Sequence, residues 1–161
     1  MLKLKEKLAP YKADLILIPL IFALDRITKV LVLNGLRERF SVEVLPFFRL
    51  TYVENTGAAF GSFRNTNAGL AFVSIIILFA IFKWRDELVH FGSWAHYGLI
   101  FVAAGALGNL YDRIVLGRVI DFFDFIVWPV FNVADSFITI GAIMLCFVFI
   151  KDSFAKRKEG K

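Results

Sequence analysis

The chain has 161 residues, 58% of them hydrophobic and 19 of them Phe, and a net charge of +5. That apolar fraction, with a mean hydropathy of +0.69, lies well above the roughly 45–50% of soluble domains. A single domain of this length could not hide so much apolar surface from water. Disorder, a collagen-like repeat and a disulfide-stapled secreted scaffold are excluded, and the chain reads as a membrane protein.

Lys3, Lys5, Lys7 and Lys12 precede an apolar run, as in a signal peptide. Asp25, Arg26 and Lys29 interrupt that run, however, and no small-residue cleavage site follows, so the segment is expected to stay as a first span. Four apolar stretches stand out, at residues 13–33, 67–82, 94–110 and 131–150. Each approaches the ~17–25 residues that a membrane-crossing helix needs. They predict one integral-membrane domain over residues 1–161, mainly α, built as a four-transmembrane-helix bundle.

An even number of spans puts both termini on one side. The terminal tails and the 83–93 loop together hold eleven Lys and Arg, against six on the opposite side in longer loops. The excess predicts cytoplasmic termini. Most charges lie at the ends of apolar stretches, so the net charge reads as topology and not as a nucleic-acid surface.

Between the first two spans, residues 40–45 alternate apolar and polar, and residues 48–53 are rich in β-branched and aromatic side chains. Pro46 marks the break between them. A small antiparallel β-sheet on the outer membrane face, over about residues 37–60, is expected. The lone Cys146 has apolar neighbours and is expected as a buried thiol without a disulfide.

Ionisable groups inside spans are costly and mark functional candidates. Asp25 lies about 18 Å along the first span at ~1.5 Å per residue, in its outer half, with Lys29 one turn further and able to neutralise it. Asn109, Asp112 and Arg113 fall at the outer end of the third span, and Asn132 and Asp135 at the outer start of the fourth. Polar groups of three spans therefore converge at one leaflet. Asp14 and Asp152 read as solvated ends, and His90 and His96 as interface residues away from the cluster. No Cys/His spacing supports a metal.

No G-x-S-x-G elbow is present, and Ser153 with Lys156 forms an S-x-x-K pattern only in a charged tail. What the outer cluster offers is carboxylate: Asp112, Asp121, Asp124 and Asp135. Paired carboxyls sharing one proton are the chemistry of an aspartic peptidase. Position alone does not choose among the four. An aspartic protease cutting inside membrane helices would place its acids deeper, and a carrier built on Asp25 and Lys29 would show repeat symmetry, which is not visible.

Four blocks of the sequence carry a resemblance. They are Ala23-Leu24-Asp25-Arg26-Ile27-Thr28-Lys29; Glu54-Asn55-Thr56-Gly57-Ala58-Ala59-Phe60-Gly61; Gly108-Asn109-Leu110-Tyr111-Asp112-Arg113 with Gly117-Arg118-Val119-Ile120-Asp121-Phe122; and Phe131-Asn132-Val133-Ala134-Asp135-Ser136. In this order they closely resemble the motif blocks of bacterial lipoprotein signal peptidase (signal peptidase II). The resemblance implies an inner-membrane aspartic endopeptidase, acting as a monomer without metal or organic cofactor. It would remove signal peptides from diacylglyceryl-modified prolipoproteins just before the lipidated cysteine. It also implies a catalytic pair, Asp121 and Asp135, site-lining substrate contacts at Asn55, Gly57, Asn109, Arg113 and Asn132, and supporting roles for Asp25 and Lys29. Asp112 is expected to serve structure through a nearby Arg.

Overall fold

The computed structural model describes residues 11–57 and 66–159. In chain order they form α1 (Lys12–Leu36), β1 (Ser41–Leu45), β2 (Phe48–Asn55), α2 (Thr66–Val89), α3 (Ser93–Val115), β3 (Val119–Asp124) and α4 (Val133–Glu159). Three helical segments, Asn67–Val89, Ser93–Val115 and Val133–Arg157, are long and apolar enough to cross a membrane. α2 and α3 run further than the apolar stretches suggested, because helix continues through Lys83, Trp84, Arg85 and through Tyr111, Asp112, Arg113. α4 starts two residues later than expected, since Phe131 pairs with Phe123 as an isolated bridge instead.

α3 is the central helix, in contact with α1, α2 and α4. Its inward face is built from small residues, with Ala95, Ala103, Ala104 and Ala106 buried. Where it crosses α4, a Cβ on Gly141 would stand 2.6 Å from the Gly98 carbonyl oxygen. Only glycine permits so close an approach, and such contacts hold helices together where lipid offers no hydrophobic drive. The large apolar side chains point outward instead. Phe72, Ile76, Phe79 and Phe82 of α2 are all exposed, as a lipid-facing surface requires.

The same inversion corrects one expectation. Cys146 is exposed, not buried. Apolar neighbours on a membrane helix signal contact with lipid as readily as contact with protein.

The sheet has the order β1-β2-β3, antiparallel throughout. β1 and β2 form the expected hairpin. β3 was not foreseen. Val119, Ile120, Asp121 and Phe122 are buried in succession, so the strand lacks the alternation that reveals a half-buried one. Gly117, at φ 71°, makes the turn from α3 into β3, a left-handed conformation that glycine adopts without steric cost. Val32, Ile120, Phe122 and Val133 form the apolar cluster that fastens the sheet to the ends of α1 and α4.

Candidate active site

Asp121 lies on β3, in register with Val53 of β2. Asp135 occupies the first turn of α4. Asn132 links them. Its Nδ2 donates to Asp121 Oδ1 at 2.6 Å, and its backbone N–H donates to Asp135 Oδ2 at 3.2 Å. In return the Asp135 N–H donates to Asn132 Oδ1 at 2.9 Å. The last two bonds form a capping box, in which the residue before a helix and the third residue within it satisfy each other's free amides. The Asn-x-x-Asp spacing thus starts the helix and fixes both carboxyls by one device.

Asn55, at the end of β2, donates to Asp121 Oδ2 at 2.9 Å and accepts the Gly57 N–H at 2.8 Å. Gly57 has φ 82°, so the chain turns sharply beside the acid. Residues 58–61 of that block lie outside the described residues. From α3, Asn109 donates to Asp135 Oδ1 at 2.7 Å. Its own oxygen accepts Asn132 Nδ2 and Lys29 Nζ, each at 3.1 Å. Half-buried Arg113 donates to the Asn109 carbonyl at 3.4 Å, with its charge in reach of Asp121 and Asp135. Burial pushes the Asp121 carboxyl up to about 6. The Asn55 hydrogen bond opposes that rise, and the negative charge of Asp135 adds to it.

Beneath the acids lies a cluster of four charges. The expected Asp25–Lys29 pair is present at 3.0 Å, and Lys29 also reaches Asp112 Oδ2 at 2.8 Å. Arg26 binds the other Asp112 oxygen at 2.5 Å and Asp25 at 3.0 Å. Asp112 therefore has its arginine partner, contributed by α1. Sequence reasoning passed over Arg26 as a site residue, because its place among apolar neighbours does not show that it crosses to α3. Gly108 leaves room for the cluster, since a Cβ there would come within 2.7 Å of Asp25 Oδ2.

The two carboxylates of the cluster also reach outward. Asp25 Oδ1 accepts the Ala134 N–H at 3.0 Å, and Asp112 Oδ2 accepts the Ile120 N–H at 3.4 Å. Those are the residues immediately before Asp135 and Asp121.

Asp124 stands apart. It accepts the Ile126 N–H and the Thr51 hydroxyl, each at 2.8 Å, and these bonds hold its carboxyl below the usual range. Asp14 is a correction: it is half-buried, bound by Arg85 Nε and Nη2 at 2.9 and 2.7 Å and by His96 at 2.9 Å. A carboxylate on a helix facing a bundle finds partners from neighbouring helices that a linear reading cannot see. Lys156 is engaged with Asp152 at 2.8 Å, next to Ser153.

Membrane-length helices enclosing a buried polar network at one end place the chain among membrane proteins. Two solved structures described as bacterial membrane enzymes, determined by the in meso method, share the fold. One is 31% identical and covers 86% of this chain and 93% of that one, with a TM-score of 0.77; the other is 30% identical, with a TM-score of 0.76, covering 87% and 88%. The chain belongs to the signal peptidase II family, a family of proteases, whose sequence model, "Signal peptidase (SPase) II", matches residues 17–151. It is similar to the lipoprotein signal peptidase of Clostridioides difficile, 40% identical over 136 residues, covering 82% of this chain and 90% of that protein. The lipoprotein signal peptidase of Pseudomonas syringae pv. tomato is 40% identical over 154 residues, covering 88% and 86%.

Proposed function

We propose that this chain is an aspartic endopeptidase. It removes the signal peptide from diacylglyceryl-modified bacterial prolipoproteins, cutting before the lipidated cysteine. The observation that carries the reading is the shared anchorage of Asp121 and Asp135 on Asn132. Two close carboxyls held largely out of water resist ionising together and titrate as one unit holding one proton. The ionised member takes a proton from water as that water attacks the scissile carbonyl. The protonated member donates to the carbonyl oxygen and then to the leaving amine.

Asn109 and Asn132 are buried, with their amides engaged on the two acids and on each other, so we read them as positioning residues. Asn55 and Arg113 stand at the accessible margin, where the Arg113 guanidinium can donate to substrate backbone carbonyls and hold the peptide extended. Gly57 allows the substrate backbone a close approach.

The domain is one integral-membrane unit with four spans in the bacterial inner membrane, both termini cytoplasmic and the acids at the periplasmic face. α1 can serve as the fourth span because its charges at Asp25 and Lys29 are buried and paired, while Leu20, Leu24, Ile27 and Leu31 are exposed. A substrate already anchored by lipid needs only a groove open to the outer leaflet.

The test incubates the purified full-length chain with a diacylglyceryl-modified precursor and, in parallel, with its unmodified form. Cleavage of the lipidated form alone, lost in both Asp121→Asn and Asp135→Asn, is expected. Full activity in either variant would reject the pair, and equal cleavage of both precursors would reject the substrate.

A further inference from the structure

At the end of the bundle remote from the acids, the turn between α2 and α3 and the last turns of α4 enclose a cavity of about 770 Å³. This lies within the roughly 300–1,000 Å³ of small-molecule sites. His90, Ser93 and Trp94 line one wall, and Phe147, Lys151 and Asp152 the other. Ser93 precedes Asn109 by sixteen residues, or about 24 Å along α3 at ~1.5 Å per residue. The cavity therefore opens at the opposite membrane surface from the aspartates.

Both walls mix aromatic and polar side chains. Trp94 and Phe147 meet with ring centroids 5.8 Å apart, and Phe91 packs edge-on against Phe149 at 5.5 Å. Trp94 is 59% exposed, as expected for an aromatic ring at a headgroup boundary. His90, Ser93 and Lys151 supply polar groups to the lining. Asp152 does not cancel Lys151, because Lys156 holds its carboxylate at 2.8 Å and reaches over the Phe91 ring. Among the described residues no carboxylate pairs with Lys151, whose ammonium is the uncompensated charge of the cavity.

An unpaired cation beside aromatic rings at membrane-surface depth is complementary to one kind of molecule. We propose that this cavity binds the headgroup of an anionic phospholipid in the leaflet opposite the aspartates. Lys151 and His90 meet the phosphate, and Trp94 and Phe147 meet the glycerol and first acyl carbons. Basic pockets between membrane helices bind anionic headgroups in this way, and one lysine near the surface is worth about a five-fold preference. The inference rests on the membrane-spanning helices and is independent of the peptidase reading.

The experiment uses the full chain carrying Trp84→Phe and Trp128→Phe, which leaves Trp94 as the only indole. It is reconstituted in phosphatidylcholine vesicles containing a minor fraction of brominated phosphatidylglycerol or, in parallel, brominated phosphatidylcholine. Brominated phosphatidylglycerol is expected to quench Trp94 with an apparent affinity about five-fold higher. Lys151→Ala should erase that preference, and Lys151→Arg should keep it. Because Lys151 is exposed, Lys151→Ala should also leave thermal unfolding and cleavage of lipidated precursor in pure phosphatidylcholine unchanged. Equal quenching by the two lipids, or a preference that survives Lys151→Ala, would overturn the proposal. So would loss of the preference on adding inorganic phosphate but not chloride at equal ionic strength, which would make the site one for free phosphate.

Discussion

Replacing Lys29 with Met is the sharpest probe of the buried cluster. The ammonium meets Asp25 at 3.0 Å, Asp112 at 2.8 Å and Asn109 at 3.1 Å, in a side chain only 1% exposed. With Asp25, Arg26 and Asp112 the four charges sum to zero, so Lys29→Met leaves a net buried carboxylate. Removing one member of such a pair costs about 3–5 kcal/mol. At roughly 2–4 °C per kcal/mol for a chain of this size, the unfolding midpoint should fall by about 6–20 °C. Asp112→Asn alone leaves the opposite imbalance and should also destabilise. The double variant restores neutrality, so it should be more stable than the sum of the two losses by about 0.5–3 kcal/mol. The assay is thermal unfolding of each purified variant in one detergent, with cleavage of lipidated precursor measured per folded molecule. Strict additivity of the two substitutions, or an unchanged midpoint for Lys29→Met, would refute the view that these charges act as one balanced unit.

Asp121→Asn and Asp135→Asn should each abolish cleavage at normal protein abundance, whereas Asp124→Asn should keep substantial activity, as its partners are Thr51 and Ile126; a precursor-processing gel reads all three. With Asp121 pushed up to about 6, kcat/KM should decline on the alkaline side as that proton leaves. Asn55→Ala removes a bond that favours the charged form and should move this limb to higher pH. For stability the sign is the reverse of the usual carboxylate: the native value lies above the ordinary 3.8, so Asp121 stabilises the fold fully below about pH 4, and that contribution is lost as pH rises through about 6. Asn132→Ser keeps a helix-capping oxygen but loses the amide that binds Asp121. It should lower stability by about 1.5–3 kcal/mol, the worth of one hydrogen bond to a charged group, and cut activity per folded molecule at least about tenfold; thermal unfolding of the purified variant and initial rates separate the two effects.

How much was legible follows from which physics each element obeys. The helices α2, α3 and α4 showed through because lipid demands long apolar runs, and their ends were misjudged because helix continues past the last apolar residue into Arg85 or Arg113. The β1–β2 hairpin showed through alternation and Pro46. β3 stayed hidden because burial on both faces removes alternation. Cys146 and Asp14 were misplaced for a common reason: a linear sequence shows which residues are apolar or charged but not which helix face they occupy. As candidates, Asn55, Asn109, Asp121, Asn132 and Asp135 were legible through the resemblance, and they share one hydrogen-bonded network. The pairing pattern was not, and neither was the part played by Arg26.

The buried cluster explains how a three-stranded sheet and a separate helix hold two carboxyls in fixed relation. A cluster of this kind is weak evidence for stability, because well-packed apolar side chains often replace buried ion pairs at no loss. What apolar side chains cannot do is accept a hydrogen bond. Asp25 holds the amide of Ala134, Asp112 holds the amide of Ile120, and Lys29 binds both carboxylates. Each anchored amide belongs to the residue before one of the two acids. The side chain of Lys29 reaches one acid's support directly as well, through Asn109 to Asp135. The backbone of β3 and the start of α4 are therefore positioned from a common charged centre on α1 and α3, which the membrane-length helices shield from solvent. Desolvating four charges is the cost of that arrangement, and the fixed separation of Asp121 and Asp135 is what it secures.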